Sequence, residues 1–190
     1  ANLGQSYLTS GEVPPRLGNA HAAVVPYQVF KTADGHIVLA IGNDGQYRKF
    51  CDFAGAPALA ADPRFATNSS RIVNRAALVP EIAAIISRHP SAYWIGGLEP
   101  LGVPCGPINT LDRVFADPHI RARGMTVDLP HPAAGGKPTR LIASPIKLSE
   151  TPVEYRRAPP TLGEHTAEVL QELLGVATSE IQALRERGVV

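Results

Sequence analysis

Apolar and polar positions first fall into a clear pattern at Tyr27-Gln28-Val29-Phe30 and His36-Ile37-Val38-Leu39-Ala40-Ile41. These β-rich runs are separated by Lys31-Thr32-Ala33-Asp34-Gly35, whose Asp-Gly predicts a turn and hence a hairpin. After Gly42-Asn43-Asp44-Gly45 the period lengthens. Tyr47, Phe50, Cys51 and Ala54 share one helical face, Arg48, Lys49 and Asp52 take the other, and Gly55 closes the helix. Asn74 to His89 repeats the helical spacing through Ala77, Leu78, Ile82, Ile85 and Ile86, with Asn74 as cap and Pro80 as a local disturbance. Ser91 to Leu101 reads as a further helix capped by Ser91, with Trp94, Ile95 and Leu98 inward.

Beyond the Pro-rich stretch Val103 to Asn109, short helices are expected around Leu111 to Phe115 and from Asp117-Pro118, where an acidic cap precedes a proline at the first helical position. Met125 to Leu129, Arg140 to Ala143 and Ile146 to Leu148 read as short strands. Glu164 to Leu174 and Ser179 to Gly188 read as amphipathic helices broken at Gly175, the second capped by Thr178. Ala1 to Ser10 is the tail of a helix or an extended approach. Gly11 to Asn19 and Pro152 to Pro160 are proline-stiffened linkers. Between them lies a mixed α/β body from about Val25 to Ser149.

Composition narrows the functional classes. With 18 Lys+Arg against 17 Asp+Glu the net charge is +1, so nothing in the balance favours nucleic acid or anionic lipid. The 18 Pro and 17 Gly run about half as high again as the roughly 12% of average usage, which makes connections many and stiff. No apolar run approaches the ~20 residues of a membrane span. The first residues lack the charged start and apolar stretch of a secretory signal, so the cytoplasm is the expected compartment. With Cys51 and Cys105 the only cysteines, free thiols are expected rather than a disulfide scaffold.

The candidate for chemistry is Gly42-Asn43-Asp44-Gly45-Gln46, which follows a strand and opens a helix. Its N–H groups and the positive helix end suit a phosphate, carboxylate or thioester oxygen. The segment matches neither the dinucleotide nor the phosphate-loop pattern, and from the residues alone a capped βα turn with Asn43 or Asp44 as cap is the favoured reading. Cys105 would be a nucleophile only beside a base, which the sequence does not supply, so a buried inert thiol is expected. The six histidines form no i, i+4 pair for a metal, and no Gly-x-Ser-x-Gly elbow is present. Arg71 and Arg75, and Arg156 with Arg157, could meet phosphate, but solvation is the expectation for both pairs.

Several ordered segments together resemble the C-terminal half of the class III CoA-transferases: Tyr7-Leu8-x-Ser10-Gly11, Pro15 to His21, Val25 to Phe30, Thr32 to Gly35, Gly42 to Gln46, Gly102 to Ile108, and Leu162 to Thr166. That family also includes carnitine dehydratase-type and formyl-CoA transferases and the α-methylacyl-CoA racemases. The resemblance implies transfer of CoA between carboxylic acids through an aspartyl-CoA intermediate. It places the aspartate upstream of Ala1, so the isolated chain is expected to be inactive. It also implies a Rossmann-like large domain receiving residues 1–24 and 151–190, with residues 25–150 forming a small α/β domain, and an interlocked homodimer. The substrate-binding residues it implies are Gly42, Asn43, Asp44, Gly45 and Gln46, with Asn43 and Asp44 standing where some members carry glycine. Gln46 and the N–H groups of Asp44 and Gly45 would be the donors to an acyl oxygen. No cofactor is implied, CoA thioester being a substrate beside an acceptor acid, and the partner is the missing N-terminal half or a partner subunit. The alternatives are a racemase-type isomerase of the same family, a non-catalytic acyl-CoA or partner-binding subunit and, more distantly, a thiol enzyme using Cys105.

Overall fold

A computed structural model describes residues 2–190 as two compact units, one closing at Asn109 and the other running Thr110–Val190. The class is mixed α/β, with small antiparallel sheets among short helices.

The first unit has α1 (Asn2–Ser10), ended by Gly11 in the left-handed region at φ 74°, which resolves the two expectations in favour of helix over Asn2 to Ser10, Ala1 lying outside the described residues. Strands β1 (Tyr27–Lys31) and β2 (His36–Ala40) form the expected hairpin, Tyr27 opposite Ala40 and Lys31 opposite His36. Its connection is fastened at several points. Thr32 N–H donates to Gly35 O, and Asp34 Oδ1 accepts from Thr32 Oγ1 at 3.0 Å and from the main-chain N–H and hydroxyl of Ser91 at 2.7 and 3.0 Å. Those bonds hold the Asp34 carboxyl below the ordinary carboxylate range, the Ser91 N–H contributing most.

A third strand, β3 (Cys105–Pro107), pairs antiparallel with β2 and lies in the proline-rich stretch that carried no strand signal. It is an edge strand in the order β1-β2-β3, where a proline's missing N–H does not interrupt a second ladder. Helices α2 (Asp44–Phe53), α5 (Arg75–Ile86) and α6 (Ser91–Leu98) cover the sheet. Tyr47, Phe50 and Cys51 of α2, Leu78, Ile82 and Ile86 of α5, and Trp94 and Leu98 of α6 bury against Phe30, Ile37 and Leu39. Trp94 satisfies its indole N–H on Ile86 O at 2.9 Å. Packing between α2 and α6 is close enough that a Cβ at Gly97 would fall inside the Phe53 ring.

Several local expectations are corrected. Two short helices, α3 (Pro57–Ala61) and α4 (Asn68–Val73), precede α5, and Asn74 joins α4 to α5 without a side-chain capping bond; its amide donates instead to Arg64 O and Ser70 O. Helix α5 continues through Pro80, because Pro80 and Ala76, whose carbonyl would have received the missing N–H, are both exposed to water. Pro90 rather than Ser91 occupies the cap position of α6, and Asp34 supplies the oxygen for the helix's first N–H.

In the second unit, α7 (Leu111–Ala116) and α8 (Pro118–Ala122) form as expected, with Asp117 Oδ1 accepting from His119 N and Ile120 N at 2.7 and 3.2 Å. Strands β4 (Thr126–Pro130) and β5 (Pro138–Ile142) pair antiparallel, and Asp128 faces Arg140 across the ladder with an ion pair at 3.0 Å. Ile146 to Leu148 has no strand partner and is irregular. Helices α9 (Thr166–Leu174) and α10 (Thr178–Glu186) are separated by Gly175 at φ 67°. Thr178 does not cap α10, since Ala177 holds that position; its hydroxyl accepts from Gln171 Nε2 at 2.8 Å and ties the two helices together.

Candidate functional site

Gly42 to Gln46 sits where β2 runs out and α2 begins. Ile41 is buried and donates its N–H to Pro26 O at 3.0 Å, which fixes the base of the loop, while Gly42 and Asn43 stand exposed and Asp44, Gly45 and Gln46 half-buried. Asn43, in extended backbone, is the cap: its Oδ1 accepts from Gln46 N at 2.9 Å and its carbonyl from Tyr47 N at 3.1 Å. Gln46 reaches back past the cap, its Oε1 accepting from Gly42 N at 2.8 Å. Its Nε2 donates to Gly102 O at 2.9 Å, and Lys49 Nζ donates to Leu101 O at 2.9 Å, so the loop is stitched to the turn that leads into β3. Gly102 makes that turn at φ 71°.

These bonds leave a defined set of donors. Among the described residues the main-chain N–H groups of Asp44 and Gly45, at the positive end of α2, have no acceptor, and one Nε2 hydrogen of Gln46 is uncommitted. A Cβ at Gly45 would press on Asn43 Oδ1 at 3.2 Å and one at Gly42 would meet Gln46 Oε1 at 3.4 Å. The absence of a side chain at these positions therefore keeps the capping bonds short and the amides uncovered. The Asp44 carboxylate makes no hydrogen bond to these N–H groups and accepts from Arg71 Nη2 at 2.9 Å.

Arg71 is the residue that sequence reasoning misjudged. Far from being solvated, it is fully buried, donating from Nε to Val25 O at 2.7 Å and from Nη1 to Phe65 O at 3.0 Å, with its guanidinium 4.5 Å from the centre of the Tyr47 ring. Arg75 is likewise bound, its Nη2 donating to His21 O and Ala22 O at 2.6 and 3.0 Å, and Asn68 holds Val25 N and Ala23 O. The spacing Asn68, Arg71, Arg75 places all three polar side chains on one side of α4 and the start of α5, which was the available signal. Arg156 and Arg157 are exposed, paired with Glu154 and Glu168.

The thiols show no activation. Burial pushes Cys51 up to about 11, and Cys105, half-buried on β3, is also raised, by burial and by the charge of Glu99. No group of three metal-ligating side chains assembles among the described residues, and none of their helices is long and apolar enough to cross a membrane.

The loop thus presents two main-chain donors and one side-chain donor at a helix start, a set that can meet an acyl or carboxylate oxygen. Residues 1–166 match the pattern of CoA-transferase family III. The chain belongs to that family. It is 44% identical over 178 residues to a succinate–glutarate CoA-transferase of Agrobacterium fabrum, covering 91% of this chain and 43% of the relative. It is 33% identical over 190 residues to a human succinyl-CoA:glutarate CoA-transferase, covering 100% and 43%. A CaiB/BaiF family protein from Brucella suis, known from its crystal structure, superposes with a TM-score of 0.72 at 41% identity, over 91% of this chain and 44% of that one. The chain therefore spans less than half the length of the family III proteins it matches.

Proposed function

We infer that these 190 residues form the loop-bearing part of a CoA-transferase that exchanges CoA between short linear dicarboxylic acids. The observation that carries this reading is the 44% identity to a succinate–glutarate enzyme across 91% of the chain, which includes the whole of the Gly42 to Gln46 loop. Two relatives named for succinate and glutarate point to substrates with a carboxyl group at each end.

The chemistry proposed is acyl transfer by covalent catalysis. A carboxylate from the family's N-terminal half attacks the thioester carbonyl, and CoA leaves as the thiolate, giving a mixed anhydride. The thiolate then attacks the enzyme's own acyl carbon, releasing the first acid and leaving an enzyme-bound thioester. The acceptor carboxylate reverses the two steps, so the exchange needs no net proton and no cofactor. At each attack negative charge develops on a carbonyl oxygen, and the N–H groups of Asp44 and Gly45, with the free Gln46 Nε2 hydrogen, are the donors available to meet it. The helix end adds a positive potential to the same spot. Assembly with the N-terminal half, as an interlocked homodimer with residues 1–24 and 151–190 in a Rossmann-like large domain and residues 25–150 as the small domain, is part of this proposal, as is a cytoplasmic location.

The test is exchange itself. The full protein carrying these residues, supplied with succinyl-CoA and glutarate, should produce glutaryl-CoA and succinate in equal amounts with ping-pong kinetics, whereas the 190 residues alone should produce none. Hydrolysis without exchange, racemisation of a 2-methylacyl-CoA, or turnover by the isolated chain would defeat the reading.

A further inference from the structure

The loop's orientation is imposed from a helix that lies well beyond it in sequence. Arg71 is the fully buried charged side chain among the described residues. Burying a guanidinium is costly, and where only space must be filled an apolar residue of similar volume does as well or better. Its three bonds differ in kind. Nε and Nη1 are spent on the main-chain carbonyls of Val25 and Phe65, which lock the planar fork in place, and Nη2 is left pointing at Asp44. The guanidinium also lies over Tyr47, so Arg71 grips the first turn of α2 at two residues three apart, the carboxylate of one and the ring of the other.

Two consequences follow for the amides beside it. The first turn of α2 is held in direction by α4 and by the chain at Val25, rather than by its own cap alone. The Asp44 carboxylate, whose negative charge beside the amides would otherwise repel a developing oxyanion, is matched by the positive charge of Arg71 at 2.9 Å. We propose that Arg71 is a positioning residue for the Gly42 to Gln46 loop, acting through Asp44 to aim the Asp44 and Gly45 N–H groups at the acyl oxygen. This role rests on the transferase reading above.

The test uses the full protein with Arg71→Lys, Asp44→Ala, Asp44→Asn and the double variant Arg71→Lys/Asp44→Ala. Transfer from succinyl-CoA to glutarate is measured alongside amide hydrogen exchange at Gln46 and Tyr47, both bonded to Asn43. Asp44→Ala should lower kcat roughly 100-fold, the scale of a small misplacement of catalytic groups, with KM little changed and exchange at both amides faster. Asp44→Asn, which keeps an oxygen for Nη2, should recover most of the turnover, and Arg71→Lys should cost clearly less in the Asp44→Ala background than alone. Folded Asp44→Ala with unaltered kcat and exchange, an Asp44→Asn as impaired as Asp44→Ala, or simple additivity in the double variant would each overturn the proposal. If Arg71→Lys fails to fold, the two Asp44 variants decide. If the wild type transfers no CoA, the functional reading falls, and exchange alone judges the clamp: faster in Asp44→Ala upholds it, unchanged refutes it.

Discussion

Replacing Gln46 by Ala removes two identifiable interactions and one potential one. The side chain links Gly42 N at 2.8 Å and Gly102 O at 2.9 Å, both on exposed residues where water replaces the lost partner in part. At about 0.5 to 1.5 kcal/mol each, the stability loss should be about 1 to 3 kcal/mol, readable as a shift in denaturant midpoint without a change in slope. Turnover should respond on a different scale. If the free Nε2 hydrogen and the neighbouring amides meet the oxyanion, losing a donor and the latch that steadies the rest should lower kcat by roughly 100- to 1,000-fold, equivalent to about 2.7 to 4 kcal/mol. The control is Asn43→Ala, which deletes the cap bond to Gln46 N and should cost about 1 kcal/mol of stability with a much smaller fall in kcat. Both variants are assayed in the full protein for succinyl-CoA to glutarate exchange, well below their melting temperatures. If Gln46→Ala loses stability as calculated but keeps wild-type kcat, the loop is an ordinary capped βα turn and its assignment to the acyl site is wrong.

Gly97→Ala should destabilise the first unit by about 1 to 3 kcal/mol in chemical denaturation, because the added methyl coincides with the Phe53 ring; a change within 0.5 kcal/mol would show that α2 and α6 have room to separate. Asp34→Ala should weaken the protein at neutral pH and progressively less in acid. A carboxylate whose pKa is lowered by folding stabilises above its unfolded value near 3.9 and loses that contribution as pH falls through the folded one. Unfolding curves between pH 6 and 2.5, with a gap that stays constant or widens in acid, would contradict this. A thiol reagent at pH 8 should label Cys105 slowly and Cys51 only on unfolding, and Cys105→Ala should leave transfer intact, whereas loss of turnover with an unchanged melting temperature would point to thiol chemistry.

Sequence reasoning succeeded where a local signal was strong. The period change after Gly45, the Asp-Gly turn and the Asp117-Pro118 start all appear in place, because each depends on residues within a few positions of one another. The failures share a cause in distance. Strand β3 exists because β2 offers it a ladder from more than sixty residues away, against the local discouragement of Pro104 and Pro107. Helices α3 and α4 are five and six residues long, too short to show a periodicity, and are held by packing and by the Thr67 cap. Arg71 was expected in water because charged residues rarely bury, yet Val25, Phe65 and Asp44 converge on it. At the loop, chain position and helix start were legible from the residues. That Asn43 rather than Asp44 is the cap, and that Gln46 is half-committed to Gly102, depended on neighbours only folding brings together.

Whether the Asp44 and Gly45 amides receive the acyl oxygen can be read from 15N–1H spectra of the full protein titrated with succinyl-CoA. These two resonances should move downfield, as N–H groups do on gaining an acceptor, while the Gly97 and Ile82 amides within the same unit stay still. Saturable binding that shifts resonances elsewhere and leaves Asp44 and Gly45 unmoved would contradict that contact.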